Sequence, residues 1–341
     1  MANSNKPIDR MQKLNYNELK IFISQNLTKK TMITFHSIGD TDSVASAVAI
    51  SQLFKNSIIS SPDIITSNSS SMLKKLQYSE INNLFDDSSE LIIILDSNDF
   101  NECGLFKDKL ISFKKNILII DHHSPKEIDA SNVYIFNDEA YNSTTSIIYN
   151  ILEDFSTSIS QSLSKIIAMG IISDSAEFKN SSAQTFLQIG NLLKIAGTDY
   201  ITLYTEFEPI SDVRERANTI SEMFNSTVII KNKILFVFGK TTTHSNIAAD
   251  NAIRIGADIA LFHSISKKEI SFSARMRPGL DKSFNINLGK IMKSIALILN
   301  GTGGGHPCAA GAYGSEFYKK DEFINSFITK ILNKIEEHNN I

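Results

Sequence analysis

Cysteine is nearly absent from this chain of 341 residues: Cys103 and Cys308 stand far apart and form no C-x-x-C pair. A disulfide framework and a thiolate zinc site are both excluded as organising features, and a reducing cytoplasm is the expected setting. Long hydrophobic runs are missing too. The longest unbroken apolar stretches, such as LIIIL at 91–95, fall far short of the roughly 20 residues a spanning helix needs. The opening stretch MANSNKPIDRMQKLNYNELK carries no apolar core of a signal peptide, so a soluble, unexported protein with no membrane partner is expected. Positive charge is not in excess either. A formal net charge of -3 excludes the basic track that a long-polyanion binder displays. No internal repeat stands out.

What is present is enough apolar residue, 42%, to bury a large core, and the length suits two domains. The first two hundred residues alternate short β-rich runs with helix-like stretches, the pattern of parallel strands joined by crossover helices. TMITFH at 31–36, LIIILD at 91–96 and NILIID at 116–121 read as strands, and 42–54 as a helix with a small-residue packing face. Continuous Ile and Leu, without alternation, predicts that the later two strands are covered on both faces. Further helices are predicted at about 144–155, 160–173 and 183–196. The character then changes. A connecting helix over 211–226 leads to a hairpin across Lys231-Asn232-Lys233, two more strands, a helix, a loop of glycines and a C-terminal amphipathic helix over about 320–337. The fold class is therefore α/β, an N-terminal parallel sheet with flanking helices, followed by a smaller α+β domain.

Acids and histidines collect at the ends of the predicted strands. His36, Asp40 and Asp42 follow the first in FHSIGDTDS, Asp96 ends the second, and Asp121, His122 and His123 end the third; Asp174 lies in GIISDSAEF after a helix. Open parallel sheets bind ligands outside those strand ends, so these residues are expected to converge. Carboxylates with imidazoles and no thiolate suit a manganese-like divalent ion, with magnesium or cobalt also accommodated. Several aspartates in one crevice repel one another unless cations sit between them, and two metals are the inferred solution, arranged for phosphoryl displacement. Asp42 or Ser43 is the expected cap of the helix that follows.

These motifs resemble the DHH phosphoesterase superfamily, named for a triplet that stands here as Asp121-His122-His123. The resemblance covers H-x-x-x-D-x-D at 36–42, the lone Asp96, the triplet, and Asp174, and extends to a DHHA1 domain through GTGGGHPCAAGA at 301–312. It implies a DHH catalytic domain over 1–200, a helical linker over 201–226 and a DHHA1 substrate-binding domain over 227–341. It further implies one metal on His36, Asp40 and Asp96 and another on Asp42, Asp96, His122 and Asp174, with Asp96 bridging. His123 is then the general acid or phosphate contact, and Asp121 orients a neighbouring histidine. Substrate binding falls to Arg275, Gly304, Gly305 and His306, where glycines admit an anion close to backbone N–H groups and an arginine fork suits phosphate; Arg277 is an alternative to Arg275. The chain departs from many bacterial relatives in carrying Ile38-Gly39 before Asp40 and Thr41 between the two acids. His244, His263 and His338 belong to no motif.

The expected activity is two-metal hydrolysis of short RNA or DNA oligonucleotides, resembling the nano-RNase and phosphoadenosine-phosphate phosphatase branch, with 3',5'-bisphosphonucleotides as further substrates and a homodimer as an open option. Near-neutral charge agrees with a short substrate. Within the same chemistry, a cyclic- or linear-dinucleotide phosphodiesterase and a RecJ-like single-strand exonuclease stay open, the latter short of room for a further strand-binding domain. A DHHA2-type pyrophosphatase lacks the GGGH signature. A non-catalytic replication scaffold is the alternative of a different class, and intact acids and histidines speak against it.

Overall fold

A computed structural model of the protein describes residues 11–78, 81–175, 178, 181–207, 213–242, 245–266 and 268–339. The chain divides into two compact units, Met1–Pro209 and Ile210–Ile341.

The first unit contains β1 (Gln12–Lys13), α1 (Tyr16–Asn26), β2 (Thr31–Phe35), α2 (Thr41–Ser51), β3 (Ser57–Ser60), α3 (Ser67–Lys75), β4 (Ile81–Asn82), β5 (Leu91–Leu95), α4 (Lys107–Ser112), β6 (Asn116–Asp121), β7 (Val133–Asn137), α5 (Thr144–Asp154), α6 (Gln161–Asp174), α7 (Ala183–Ala196) and α8 (Tyr200–Phe207). Its seven strands run parallel in the order β1-β7-β6-β5-β2-β3-β4. The continuous apolar runs are explained by cover on both faces. Phe35, Leu91, Ile93, Leu95, Leu118 and Ile120 enter a core built with α1, α2, α5, α6, α7 and α8. Their neighbours Met32, Ile92, Ile94, Ile117 and Ile119 enter a second layer with Cys103, Phe106 and Leu110. Strand order runs outward from β2 in one direction and from β5 in the other, so the crevice between those two carboxyl ends is the topological switch point, where open α/β sheets bind ligands.

The second unit contains α9 (Val213–Phe224), β8 (Thr227–Lys231), β9 (Ile234–Lys240), α10 (Ser245–Arg254), β10 (Ile259–Ser266), β11 (Glu269–Met276), α11 (Leu280–Ser283), α12 (Leu288–Ile295), β12 (Gly301–Gly305), β13 (Ala309–Gly314) and α13 (Lys320–Asn339). Its mixed sheet has the order β12-β13-β11-β10-β9-β8, with β9 and β10 parallel and the other neighbours antiparallel. The β8–β9 turn places Asn232 and Lys233 at φ 50° and 64°, the doubly left-handed geometry that matches hairpin twist. Leu203 and Phe207 of α8 pack in the core of the first unit, and Met223 of α9 packs in the second; within the expected linker, 208–212 lie outside the described residues.

The glycine run corrects the sequence reading. It is a strand, β12, and not a loop, because β12 pairs with β13 and lies against the backbone of α12. A Cβ on Gly303 would sit 2.7 Å from the Met292 carbonyl oxygen, and one on Gly289 would sit 2.0 Å from that of Gly305. Those absences of side chain serve helix–strand packing. Gly304 alone of Gly303, Gly304 and Gly305 opens onto free space.

Close packing also governs the helix that delivers Asp174. A Cβ on Gly170 would lie 2.4 Å from Thr145 Oγ1 and 2.6 Å from Ala45 Cβ, so α6 seats against α2 and α5 only because that position is bare. Alanine usually favours a helix over glycine by up to ~1 kcal/mol. Gly170→Ala should nevertheless destabilise by about 1–3 kcal/mol, the usual cost of overpacking; urea unfolding checks this, and an unchanged or raised midpoint contradicts the packing account.

A candidate metal centre at the switch point

Three strand ends and two helices deliver the site. His36 follows β2, and the loop from it turns back at Gly39 to reach Asp40. The cap of α2 is Asp40, correcting the expectation of Asp42 or Ser43: its Oδ1 accepts the Ser43 N–H at 3.0 Å. That leaves Asp40 Oδ2 3.4 Å from His36 Nε2. Asp42, one residue into the helix, is fully buried and accepts the amides of Thr144 at 2.7 Å and Thr145 at 2.9 Å from the first turn of α5. The positive end of a helix thus supports a carboxylate that water cannot reach. Asp174 occupies the opposite situation, as the last residue of α6, where the helix end is negative and a carboxylate is disfavoured without a cation nearby.

Asp96 stands at the middle. It ends β5 at φ 58°, a left-handed conformation that aspartate tolerates better than most residues, and it is 3% exposed. Its Oδ2 lies 3.3 Å from His36 Nε2 and its Oδ1 3.4 Å from His122 Nε2, while Oδ1 accepts the Thr144 hydroxyl at 2.9 Å. His122 Nε2 also lies 3.2 Å from Asp174 Oδ2. The two oxygens of one carboxylate therefore face two different histidines. Ligand atoms within 4.8 Å of one another fall into the sets His36, Asp40, Asp96, then Asp42, His122, Asp174, and a third of Asp96, His122 and His123.

The chemistry of the donors fits a cation. His122 Nδ1 lies 3.3 Å from the Tyr141 carbonyl oxygen; a carbonyl only accepts, so in the neutral ring Nδ1 keeps the proton and Nε2 is the nitrogen left to turn a lone pair toward the acids. That buried Nε2 has no hydrogen-bond partner. The separations of 3.2–3.4 Å are long for charge-assisted hydrogen bonds. They match the roughly 3.0–3.4 Å between ligand atoms that each sit about 2.1 Å from a shared ion.

Electrostatics point the same way. Burial alone would depress His36, but Asp40 and Asp96 beside it push it up to about 10. Burial likewise opposes the charge on His122, and Asp174, Asp96 and Asp42 push it up to about 11. Burial and the nearby charges of Asp96 and Asp174 raise Asp42 well above the carboxylate range. Asp174 is raised by burial and by the same crowding of acids. Asp96, although burial works against its charge, is held far below by His122 and His36. The site draws positive charge, from protons when nothing better is present.

His123 does something different from His122. It is exposed, and its Nδ1 lies 2.9 Å from Oδ1 of the buried Asp121, which raises its pKa against the opposing effect of burial and leaves Nε2 on the ring's other edge. Asp121 in turn accepts from Asn98 Nδ2 and from the His122 amide. Two contributors were missed from sequence, Asn98 and the Ser143-Thr144-Thr145 step; a run of hydroxyl residues before a predicted helix was the available signal for the second.

In the second unit, Arg275 is tied down, with Nε 2.7 Å from Asp250 Oδ1 and Nη1 donating to the Ala274 carbonyl oxygen at 3.1 Å. Arg277 Nη2 lies 2.8 Å from Asp258 Oδ1. His306 is exposed at the end of β12, beside Gly304 and Gly305. Cys308 is half-buried, its thiol raised by burial and by Asp281. His263 is buried, and burial together with Lys320 pulls it down to about 4; His338 meets Phe284 edge-on, and His244 lies outside the described residues. Among the described residues no helix is long and apolar enough to cross a membrane.

Residues 30–171 match the family model of the DHH family, N-terminal domain, and residues 231–337 match that of the DHHA1 domain. An uncharacterized protein of Methanocaldococcus jannaschii is 27% identical over 306 residues, 87% of this chain and 90% of that protein. A manganese-dependent inorganic pyrophosphatase of Methanothrix thermoacetophila is 27% identical over 172 residues, 48% of this chain and 54% of that protein. An exopolyphosphatase-related protein from Bacteroides fragilis has the same fold, with TM-score 0.74 at 17% identity over 94% of this chain and 97% of that one.

If His36 and His122 hold a metal, its loading must displace protons from imidazoles that the neighbouring acids hold near 10 and 11, because only the neutral ring is a ligand. Titrating metal-free protein with Mn2+ at pH 7.5 should release about two protons per chain from the imidazoles, with any proton held by Asp42 added to that count. Apparent affinity should rise with pH, since fewer protons then compete. Calorimetry in buffers of different ionisation enthalpy reads the proton count; no release contradicts histidine ligation.

Proposed function

Because the chain belongs to the DHH–DHHA1 family of metal-dependent phosphoesterases, we propose that it is a two-metal hydrolase of short oligonucleotides, with manganese as the preferred ion. One observation carries this reading: Asp96 turns one oxygen toward His36 and the other toward His122, the disposition of a carboxylate shared between two ions. In this reading His36, Asp40 and Asp96 would hold one, and Asp42, Asp96, His122 and Asp174 the other. The manganese dependence of the Methanothrix relative supports the choice of ion. Bound divalent ions supply Lewis acidity at the phosphoryl oxygens and an activated water at neutral pH.

The remaining work belongs to the protein's own groups. His123, oriented by Asp121, presents its Nε2 edge to donate a proton to the departing oxygen. Thr144 and the N-terminal amides of α5 keep Asp96 and Asp42 from rotating as charge develops. The second unit takes a recognition role: Gly304 leaves backbone open at an edge strand, Gly305 and His306 adjoin it, and Arg275 carries donors beyond those engaged by Asp250 and Ala274. A net charge of -3 favours a substrate a few nucleotides long, since binding along a long strand requires many cationic contacts.

The test is a product analysis with Mn2+ on end-labelled RNA and DNA of two to twenty-four nucleotides, cyclic dinucleotides, a 3',5'-bisphosphonucleotide and pyrophosphate. Turnover should be fastest on the shortest oligonucleotides. Asp96→Asn keeps the left-handed backbone and the side-chain shape but should lose activity at least about a thousandfold, the several kcal/mol that metal ions contribute. Pyrophosphate as the best substrate, or full activity in the variant, contradicts the reading.

A further inference from the structure

Next to the metal centre, on the same carboxyl edge of the sheet, lies a cavity of about 570 Å³. It sits past the ends of β3 and β4 under α3, and no residue assigned above lines it. Pro62, Ile65, Leu73 and Leu105 are among its apolar lining, and Asp63, Lys74, Tyr78 and Asn83 among its polar lining. A space of a few hundred cubic ångströms with apolar walls and a few polar groups is the usual build of a small-molecule site. Leu105 and Ile64 are 80% and 88% exposed at its border, apolar surface for which the fold of this unit has no use.

The cavity is physically coupled to the loop that carries His36 and Asp40. Ile65 packs so closely on Gly39 that a Cβ there would lie 2.7 Å from Ile65 Cγ2. The Gly39 carbonyl oxygen accepts the Thr66 amide at 3.0 Å and the Ser69 hydroxyl at 2.9 Å. On the other wall, Leu105 follows Gly104, where a Cβ would lie 2.8 Å from Ser37 Cβ, and Ser37 N–H donates to the Glu102 carbonyl oxygen at 2.7 Å. Both walls therefore abut the metal-bearing loop. A ligand in the cavity would therefore lie beside the loop that carries His36 and Asp40.

We propose that this cavity receives a nucleobase of the substrate, next to the phosphate held at the metal centre. The inference rests on the nucleotide reading above and sharpens it. Inorganic pyrophosphate or polyphosphate has no apolar surface to place between Ile65, Leu73 and Leu105, and a single lysine is poor cover for a phosphate chain. An aromatic base has two apolar faces for those walls and a polar edge for Asn83 and Lys74. Asn83 offers both a donor and an acceptor and Lys74 a donor, a set that more than one base can meet, so the site selects for the presence of a base more than for its identity.

The experiment compares kcat/KM for the 5'-phosphorylated dinucleotide pApA with that for its counterparts made abasic at the first or the second position, using the full chain with Mn2+. The wild-type protein should favour the base-bearing substrate over one of the two counterparts by about 10- to 100-fold, the worth of one stacked base. In Leu105→Asp and Ile64→Asp that ratio should fall to within about threefold of unity, chiefly through KM. Both positions are exposed, and matched thermal melts verify folding; Ile21→Asp, exposed on α1 away from the cavity, should keep the wild-type ratio. A wild-type ratio near one at both positions, or a ratio unmoved in both folded variants, overturns the proposal. If wild-type protein cleaves none of the dinucleotides, the nucleotide reading fails on that result. The cavity is then judged by 2-aminopurine ribonucleoside 5'-monophosphate: quenching lost in Leu105→Asp upholds base binding there, and equal or absent quenching refutes it.

Discussion

Carboxylates crowded where water cannot relieve their repulsion are the constraint on which this molecule depends. Asp42 is fully buried and Asp96 nearly so, with Asp40 and Asp174 beside them. Each buried charge costs several kcal/mol unless it is compensated. Part of the compensation is permanent: two amides at the start of α5 on Asp42, and the Thr144 hydroxyl on Asp96. The rest must come from a cation. The histidines are set for it, because Tyr141 fixes the tautomer of His122 and aims its Nε2 inward. A site so poised takes up protons when nothing else is offered and exchanges them for metal, coupling occupancy to pH.

The architecture explains why such a cluster is affordable. The core of the first unit is saturated with Ile and Leu on both faces of a parallel sheet, and the repelling acids are gathered at its carboxyl edge. Asp96 at positive φ is one such local cost, placed where the chain leaves β5 and must turn its carboxylate into the crevice. Gly170 is another adaptation: α6 approaches α2 and α5 closely enough to bring Asp174 opposite His122. In the proposed reading, the cavity beyond the His36–Asp40 loop extends the same edge of the sheet from phosphate chemistry to recognition of what the phosphate carries.

Much of this was legible in the sequence. Unbroken Ile and Leu in 91–95 and 117–120 pointed to strands covered on both sides, and acids and histidines placed after such strands were expected to meet at one edge of the sheet. Features that depend on tertiary approach were not legible. Nothing local shows that Gly303 is bare because α12 lies against it, and a run of glycines reads as a loop until the helix is in place. The cap of α2 went to Asp40 because the turn at Gly39 brings it, ahead of Asp42, onto the Ser43 amide, while Asp42 is drawn away by α5 from about a hundred residues downstream. Two-residue strands at the sheet edges, such as β1 and β4, carry too little pattern to announce themselves.

Magnetic coupling between ions is the most direct test of the central claim, that one carboxylate unites two cation sites. Metal-free protein is loaded with Mn2+, freed of excess, and examined by electron paramagnetic resonance. The account predicts two bound ions per chain with the signature of an exchange-coupled pair, lost on Asp96→Asn substitution. An uncoupled six-line spectrum at full loading, or no retained manganese, would contradict it.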